Sequence, residues 1–157
     1  MQYWLMKSAA EVYSLADLER EQSTIWDGVR NYQARNLMRD SMQVGDQVLF
    51  YHSNARPPGV AGLATVAQTG LTDPSQFDTD SPYFDPKASP DNPRWITVKL
   101  SYQASFKRFV PLDELKKHPK LTELMVIRRG ARLSVQPVSA ADFKLICQLG
   151  NRPDTRS

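Results

Sequence analysis

The chain has 157 residues, 41% hydrophobic and 24% charged, with a net charge of +3; this suits one globular domain whose core needs neither disulfides nor a structural metal. One cysteine, Cys147, and two histidines, His52 and His118, exclude an intramolecular disulfide and a structural zinc site. Met1 to Lys7 lacks the basic start and long apolar run of a signal peptide, and no stretch has the length of a membrane span. A monomer in a reducing, cytoplasmic compartment, away from membranes, is therefore expected.

Taken in chain order, Gln2 to Met6 reads as a short strand of aromatic and aliphatic residues. Ser14 and Asp17 form a capping pattern ahead of a helix over Leu15 to Arg20. Ala34, Leu37 or Met38, and Met42 share one face of a helix predicted over Asn31 to Met42. Val44-Gly45-Asp46 turns into a strand, Gln47 to His52, and Arg56-Pro57-Pro58-Gly59 breaks the chain before a small-residue strand, Val60 to Thr69. From Thr72 to Pro93 the chain is rich in Pro, Asp and Ser, which predicts a long loop with a helical turn near Gln76. Strands follow over Trp95 to Tyr102 and over Phe106 to Val110, then helices from Pro111 to Lys117 and from Leu121 to Met125. Arg132 to Gln136 reads as a last strand. Ser139 caps a final helix, Ala140 to Leu149, which Gly150 ends. Residues 151–157 read as a disordered tail to a single domain over 1–150. Strands and helices mix without a βαβ rhythm, so the fold class is α+β with a curved or barrel-like sheet.

Three segments carry candidate chemistry. In Trp26-Asp27-Gly28-Val29-Arg30-Asn31-Tyr32 an indole sits beside a predicted helix start; an aromatic wall next to hydrogen-bond donors suits a flat heterocycle or an anion. Burial statistics favour a core tryptophan over a cage tryptophan by roughly two to one. At Tyr51-His52-Ser53 an apolar strand turns polar. Neighbours on a strand face opposite ways, so Ser53 and His52 do not make a nucleophile and base, and Ser53 is better read as a hydrogen-bond partner. In Arg132-Leu133-Ser134 the outer pair shares a strand face and suits a polar wall or a phosphate contact. No glycine-rich phosphate loop, carboxylate pair or metal-ligand pattern occurs, so no catalytic residue, metal or cofactor is expected. Tyr83, Phe84 and Trp95 flank the acidic loop and are expected to pin it down. Basic clusters at Arg30-Arg35-Arg39, Lys107-Arg108, Lys116-Lys117-Lys120 and Arg128-Arg129-Arg132 permit a polyanion partner.

With these residues in view, the chain resembles the EVE domain family. The matching segments are Tyr3 to Ser8, Trp26 to Arg35, Phe50 to Ser53, Gly59 to Gly62, Asp91 to Trp95 and Arg132 to Pro137, in family order over nearly the whole chain. The resemblance implies a PUA-like fold, a mixed β pseudobarrel with peripheral helices. PUA-like relatives include the YTH readers of methylated adenine and the SRA readers of methylated cytosine. It therefore implies a non-catalytic module that holds a flipped-out, modified base of DNA or RNA. By position, Lys7, Ser8, Trp26, Asn31, Tyr32, Tyr51, His52, Ser53, Arg132 and Ser134 would surround that base, with Trp26 stacking on it. Arg30, Arg35 and Arg56 would take phosphates. The family commonly has Lys-Ser-Glu-Pro where this chain has Lys7-Ser8-Ala9-Ala10, so an acidic acceptor is missing there. The alternative is a binder of small molecules or nucleotides, or a protein associated with RNA modification.

Overall fold

The computed structural model describes residues 1–130 and 132–151. Apart from Asn151, the expected tail lies outside the described residues. Six strands form one sheet in the order β2-β5-β4-β3-β1-β6. They are β1 (Tyr3–Ala9), β2 (Ser23–Ile25), β3 (Gln47–Ser53), β4 (Gly59–Thr72), β5 (Ile96–Pro111) and β6 (Val135–Val138). Only β1 and β3 run parallel, with Lys7 opposite Tyr51 and Ser8 opposite His52; the other neighbours are antiparallel. Four helices accompany the sheet: α1 (Leu15–Glu21), α2 (Tyr32–Asn36), α3 (Leu112–Lys117) and α4 (Ala140–Gly150). The architecture is α+β.

Side-chain alternation along the central strands makes two cores. Trp4, Met6, Val48 and Phe50 enter one buried cluster with Leu15, Leu18, Trp26, Met38, Val98 and Leu100. Leu5, Leu49 and Tyr51 enter another with Val110, Leu115, Phe143 and Ile146. Successive strand residues face opposite ways, so each cluster lies on its own face of the sheet. This explains the unbroken apolar run Val48-Leu49-Phe50-Tyr51, since a strand covered on both faces has no polar side.

Several elements differ from expectation. The two strands predicted between Trp95 and Val110 are one, because β5 stays paired to β4 past the polar Ser101, Gln103 and Ser105 through several bulges. The helix predicted over Asn31 to Met42 is α2 followed by a π-helical turn, Leu37–Ser41. The helix predicted over Leu121 to Met125 does not form: Leu121 to Leu124 is a turn with Leu121 and Leu124 buried, and a 3-10 turn, Met125–Ile127, follows. The last strand starts at Val135 rather than Arg132 and runs through Pro137, which an edge strand tolerates. The helical turn near Gln76 is a 3-10 turn, Pro74–Phe77.

Candidate functional site

Where β1 ends, its side chains divide between two recesses. Ser8 continues the Trp4–Met6 face and Lys7 the Leu5 face. On the Ser8 side lies a cavity of about 460 Å³, walled by Ser8, Ala9, Tyr13, Trp26, Asp27, Gly28, Arg30, Tyr83 and Ser134, with Lys7 at its margin. On the Lys7 side a recess of about 540 Å³ is lined by Lys7, Tyr51, Lys116, Arg128 and Arg132 among others.

Trp26 belongs to both core and cavity. It is 7% exposed. Its ring meets Phe50 edge-on at 5.6 Å and Tyr13 edge-on at 6.3 Å. Its backbone is fixed by N–H donation to the Val98 carbonyl at 2.9 Å and by the Thr97 hydroxyl on its own carbonyl. The indole is thus held by its neighbours while remaining part of the cavity wall. Ser8 Oγ donates to the Tyr13 carbonyl at 2.5 Å, which holds the residues leading into α1 beside the cavity.

Arg30 ties the opposite wall together. Its guanidinium makes five hydrogen bonds: to Asp73 Oδ2, Ser75 Oγ and the Val29 carbonyl, and two to the Tyr83 carbonyl, all between 2.7 and 3.0 Å. It also lies 5.7 Å from the Tyr83 ring centre and 5.0 Å from that of Trp95. Asp73 is buried and in addition accepts from Gly28 N at 2.9 Å. The long acidic loop is thereby strapped to the Trp26 segment. Gly28 has φ +82°, and a Cβ there would stand 2.7 Å from the Tyr83 ring, so only glycine fits.

The expected base-site residues separate. Ser8, Trp26, Ser134 and Lys7 line the smaller cavity; Tyr51 and Arg132 line the larger recess with Lys7. Arg132 and Ser134 part because residues 132–134 precede β6 and do not alternate as a strand. Asn31 caps α2, its side chain accepting from Ala34 N at 2.9 Å. Tyr32 stacks on Trp95 with centres 4.8 Å apart. Nε2 of His52 accepts from Leu15 N at 3.1 Å, and burial pushes its pKa below the ordinary histidine value. Ser53 closes β3, its carbonyl accepting from Ala10 N. Among the expected phosphate ligands, Arg30 is engaged as above. Arg35 donates to the Arg94 carbonyl and to Asn36 Oδ1 and lies over Tyr32, 4.7 Å from the ring centre. Arg56 is exposed in the β3–β4 turn.

Several cavity residues were not singled out from sequence for this role, Tyr83 and Asp27 among them. Tyr83, expected only to pin the loop, also walls the cavity. Asp27 is the one carboxylate among the lining residues. Burial and then the nearby charge of Asp73 raise its pKa above the ordinary aspartate value, against the opposing pull of its own backbone N–H and of Arg30. Its place directly after Trp26 was the available signal. Elsewhere, burial pushes the Cys147 thiol up to about 11. Among the described residues no helix is long and apolar enough to cross a membrane, and no three His, Cys, Asp or Glu side chains gather as for a metal.

Comparison with known proteins places these features in context. The EVE domain matches residues 2–149. Human thymocyte nuclear protein 1 is 38% identical over 165 residues, covering 94% of this chain and 73% of the human protein. A crystal structure of human THYN1 protein in complex with 5-methylcytosine-containing DNA superposes with TM-score 0.89 at 37% identity, covering 97% of this chain and 99% of that one. A crystal structure from Pseudomonas syringae gives TM-score 0.89 at 41% identity, covering 94% and 98%.

Proposed function

The chain belongs to the EVE domain family, with its PUA-like α+β fold, and from that membership and the Trp26 cavity we propose that it reads a modified cytosine flipped out of DNA, without catalysis. The observation that carries this reading is the double placement of Trp26, packed edge-on against Phe50 and Tyr13 and walling a cavity of about 460 Å³. That volume lies within the range of about 300–1,000 Å³ usual for small-ligand pockets. A base inside a duplex hides its edge, so a reader must extrude it at a cost of a few kcal/mol. Stacking on an aromatic ring returns about 1–3 kcal/mol, and phosphate contacts supply more.

Asp27 suits cytosine, because a carboxylate accepts from the exocyclic N4 amino group. It supplies within the cavity the acceptor that Ala9-Ala10 lacks. Ser8, Ser134 and Lys7 complete the proposed polar wall, while Asn31 and His52 hold α2 and α1 from outside it. DNA is favoured over RNA by the human relative's complex with methylated DNA. The non-catalytic reading is supported by His52, whose Nε2 is taken by Leu15 N–H and so does not serve Ser53, and by the raised Cys147 thiol. The lone cysteine suits a reducing compartment, cytoplasm or nucleus alike.

The test compares matched DNA duplexes with and without 5-methylcytosine by fluorescence anisotropy. The wild type should prefer the methylated duplex and Trp26→Ala should lose that preference. Removing this indole costs about 3–5 kcal/mol of stability, so Trp26→Phe, which keeps most of the packing, is run beside it with thermal melts. An unchanged preference in a folded Trp26→Ala protein sinks the reading. Calorimetry with free 5-methylcytidine separates the alternative: strong heat without any backbone present identifies a small-molecule binder.

A further inference from the structure

Apart from Lys7, which borders both openings, the residues of the recess on the Lys7 side have no part in base recognition as proposed. The recess draws its cations from distant points of the chain: Lys7 at the end of β1, Lys116 in α3, Arg128 and Arg129 after the 3-10 turn and Arg132 before β6. They converge over a floor that includes the buried Tyr51 and Val126. Among the described residues no carboxylate lines the recess; Glu123, which pairs with Arg128 at 3.0 Å, stands outside and is largely exposed. Lys7 Nζ lies 5.9 Å from the centre of the Tyr51 ring, and burial lowers its pKa below the ordinary lysine value. Gathering like charges in one concavity disfavours the empty fold and raises the local concentration of anions.

Position narrows the anion. Lys7 borders both recesses, and its backbone N–H donates to the Ser134 carbonyl at 2.9 Å. Ser134 lines the Trp26 cavity and Arg132 the basic recess, so the two openings share one rim. We propose that the recess formed by Lys7, Tyr51, Lys116, Arg128 and Arg132 binds an internal phosphodiester of the same strand whose base enters the Trp26 cavity. This rests on the reading of that cavity as a base site. It differs from the expectation that Arg30 takes a phosphate, since all the guanidinium N–H groups of Arg30 have partners inside the protein. A flipped nucleotide lifts its own backbone from the duplex surface, and a basic concavity beside the pocket is where that backbone would come to rest.

The test measures binding of the full chain to methylated and plain duplexes at several salt concentrations, for the wild type and for Lys116→Gln/Arg132→Gln. Both side chains are exposed, so the variant should fold, which a melt verifies. The expected result is about tenfold weaker binding to both duplexes and a salt slope shallower by about 1, with the methylated-to-plain ratio kept. An unchanged slope, in a setting where the wild type still prefers the methylated duplex, overturns the phosphate site and leaves the base reading intact. Absence of any nucleic-acid binding by the wild type overturns both. A 5′-phosphorylated single strand compared with its 5′-hydroxyl counterpart separates the two phosphate sources: equal affinity supports an internal diester, and dependence on the terminal phosphate overturns it.

Discussion

At the scale of single residues, the site depends on neighbours that do opposite things. Trp26 is fixed by packing and offers a flat surface, whereas Asp27, next in the chain, is exposed, yet partial desolvation and then the charge of Asp73 raise its pKa above the ordinary aspartate value. A carboxylate with a raised folded pKa binds more protons in the folded than in the unfolded state between the two values. Stability therefore falls as pH rises through that window, and the penalty is fully present above the raised value. Because the side chain is exposed and water screens it, Asp27→Asn should raise Tm at pH 7 only slightly while weakening binding to methylated DNA, a trade familiar from functional sites. In the wild type, affinity should fall on acidification at a higher pH than an ordinary aspartate would give, because the acceptor is lost on protonation. A melt series and a binding titration over the same buffers check both halves. If Asp27→Asn lowers Tm and leaves affinity untouched, Asp27 serves the fold and not the ligand.

At the scale of elements, the acidic loop is held to the rest of the site chiefly by Arg30 and Asp73. Their ion pair at 3.0 Å is partly sheltered, with the Asp73 side chain 2% exposed. Removing one member of a buried pair leaves the other uncompensated and costs about 3–5 kcal/mol, less where water reaches one partner. Arg30→Met should lower stability by about 3 kcal/mol in urea unfolding and speed amide exchange in residues 73–95, with the cavity wall at Tyr83 loosened. Exchange confined to the chain ends would count against the strap. The loop itself was legible in the sequence from its prolines and aspartates, but its attachment was not: nothing near Asp73 marks it as the one acid that lies under Gly28 N and Arg30. Trp26 was legible as a cavity candidate for a local reason, an indole beside a helix start, whereas Ser8 entered only through the family resemblance. The parting of Tyr51 and Arg132 from Ser8 and Ser134 was not legible, because it depends on the sheet face that each strand residue takes and on residues 132–134 lying outside β6.

For the whole molecule, the sheet with a core on each face sets both what could be foreseen and how the protein should respond to acid. The α+β class followed from periodicity, because amphipathic helices and apolar strands advertise themselves locally. The single long β5 did not, because pairing with β4 carries it across polar residues that read as a break. The same architecture ties the faces to titratable clasps. His52 at the end of β3 anchors α1 through Leu15 N. Asp46 before β3 accepts from Trp4 Nε1 at 3.0 Å and from Gln2 N and Gln43 N. Burial acts to raise the Asp46 pKa, yet these hydrogen bonds outweigh it and hold the value low. Stability from Asp46 is present above the ordinary aspartate value and is lost only as pH falls through its lower folded value. His52 acts earlier. Its folded pKa is lowered, so the unfolded chain binds more protons as pH falls below the ordinary histidine value, and stability drops through that window. Asp27 opposes this only as it takes up its proton. The wild-type Tm should therefore fall between pH 7 and 5, ahead of the carboxylate-driven loss in stronger acid. His52→Gln, whose amide oxygen can still accept from Leu15 N, should flatten the decline between pH 7 and 5 and leave the steeper acid limb in place. An identical profile for wild type and variant would show that the β3–α1 clasp is not what titrates.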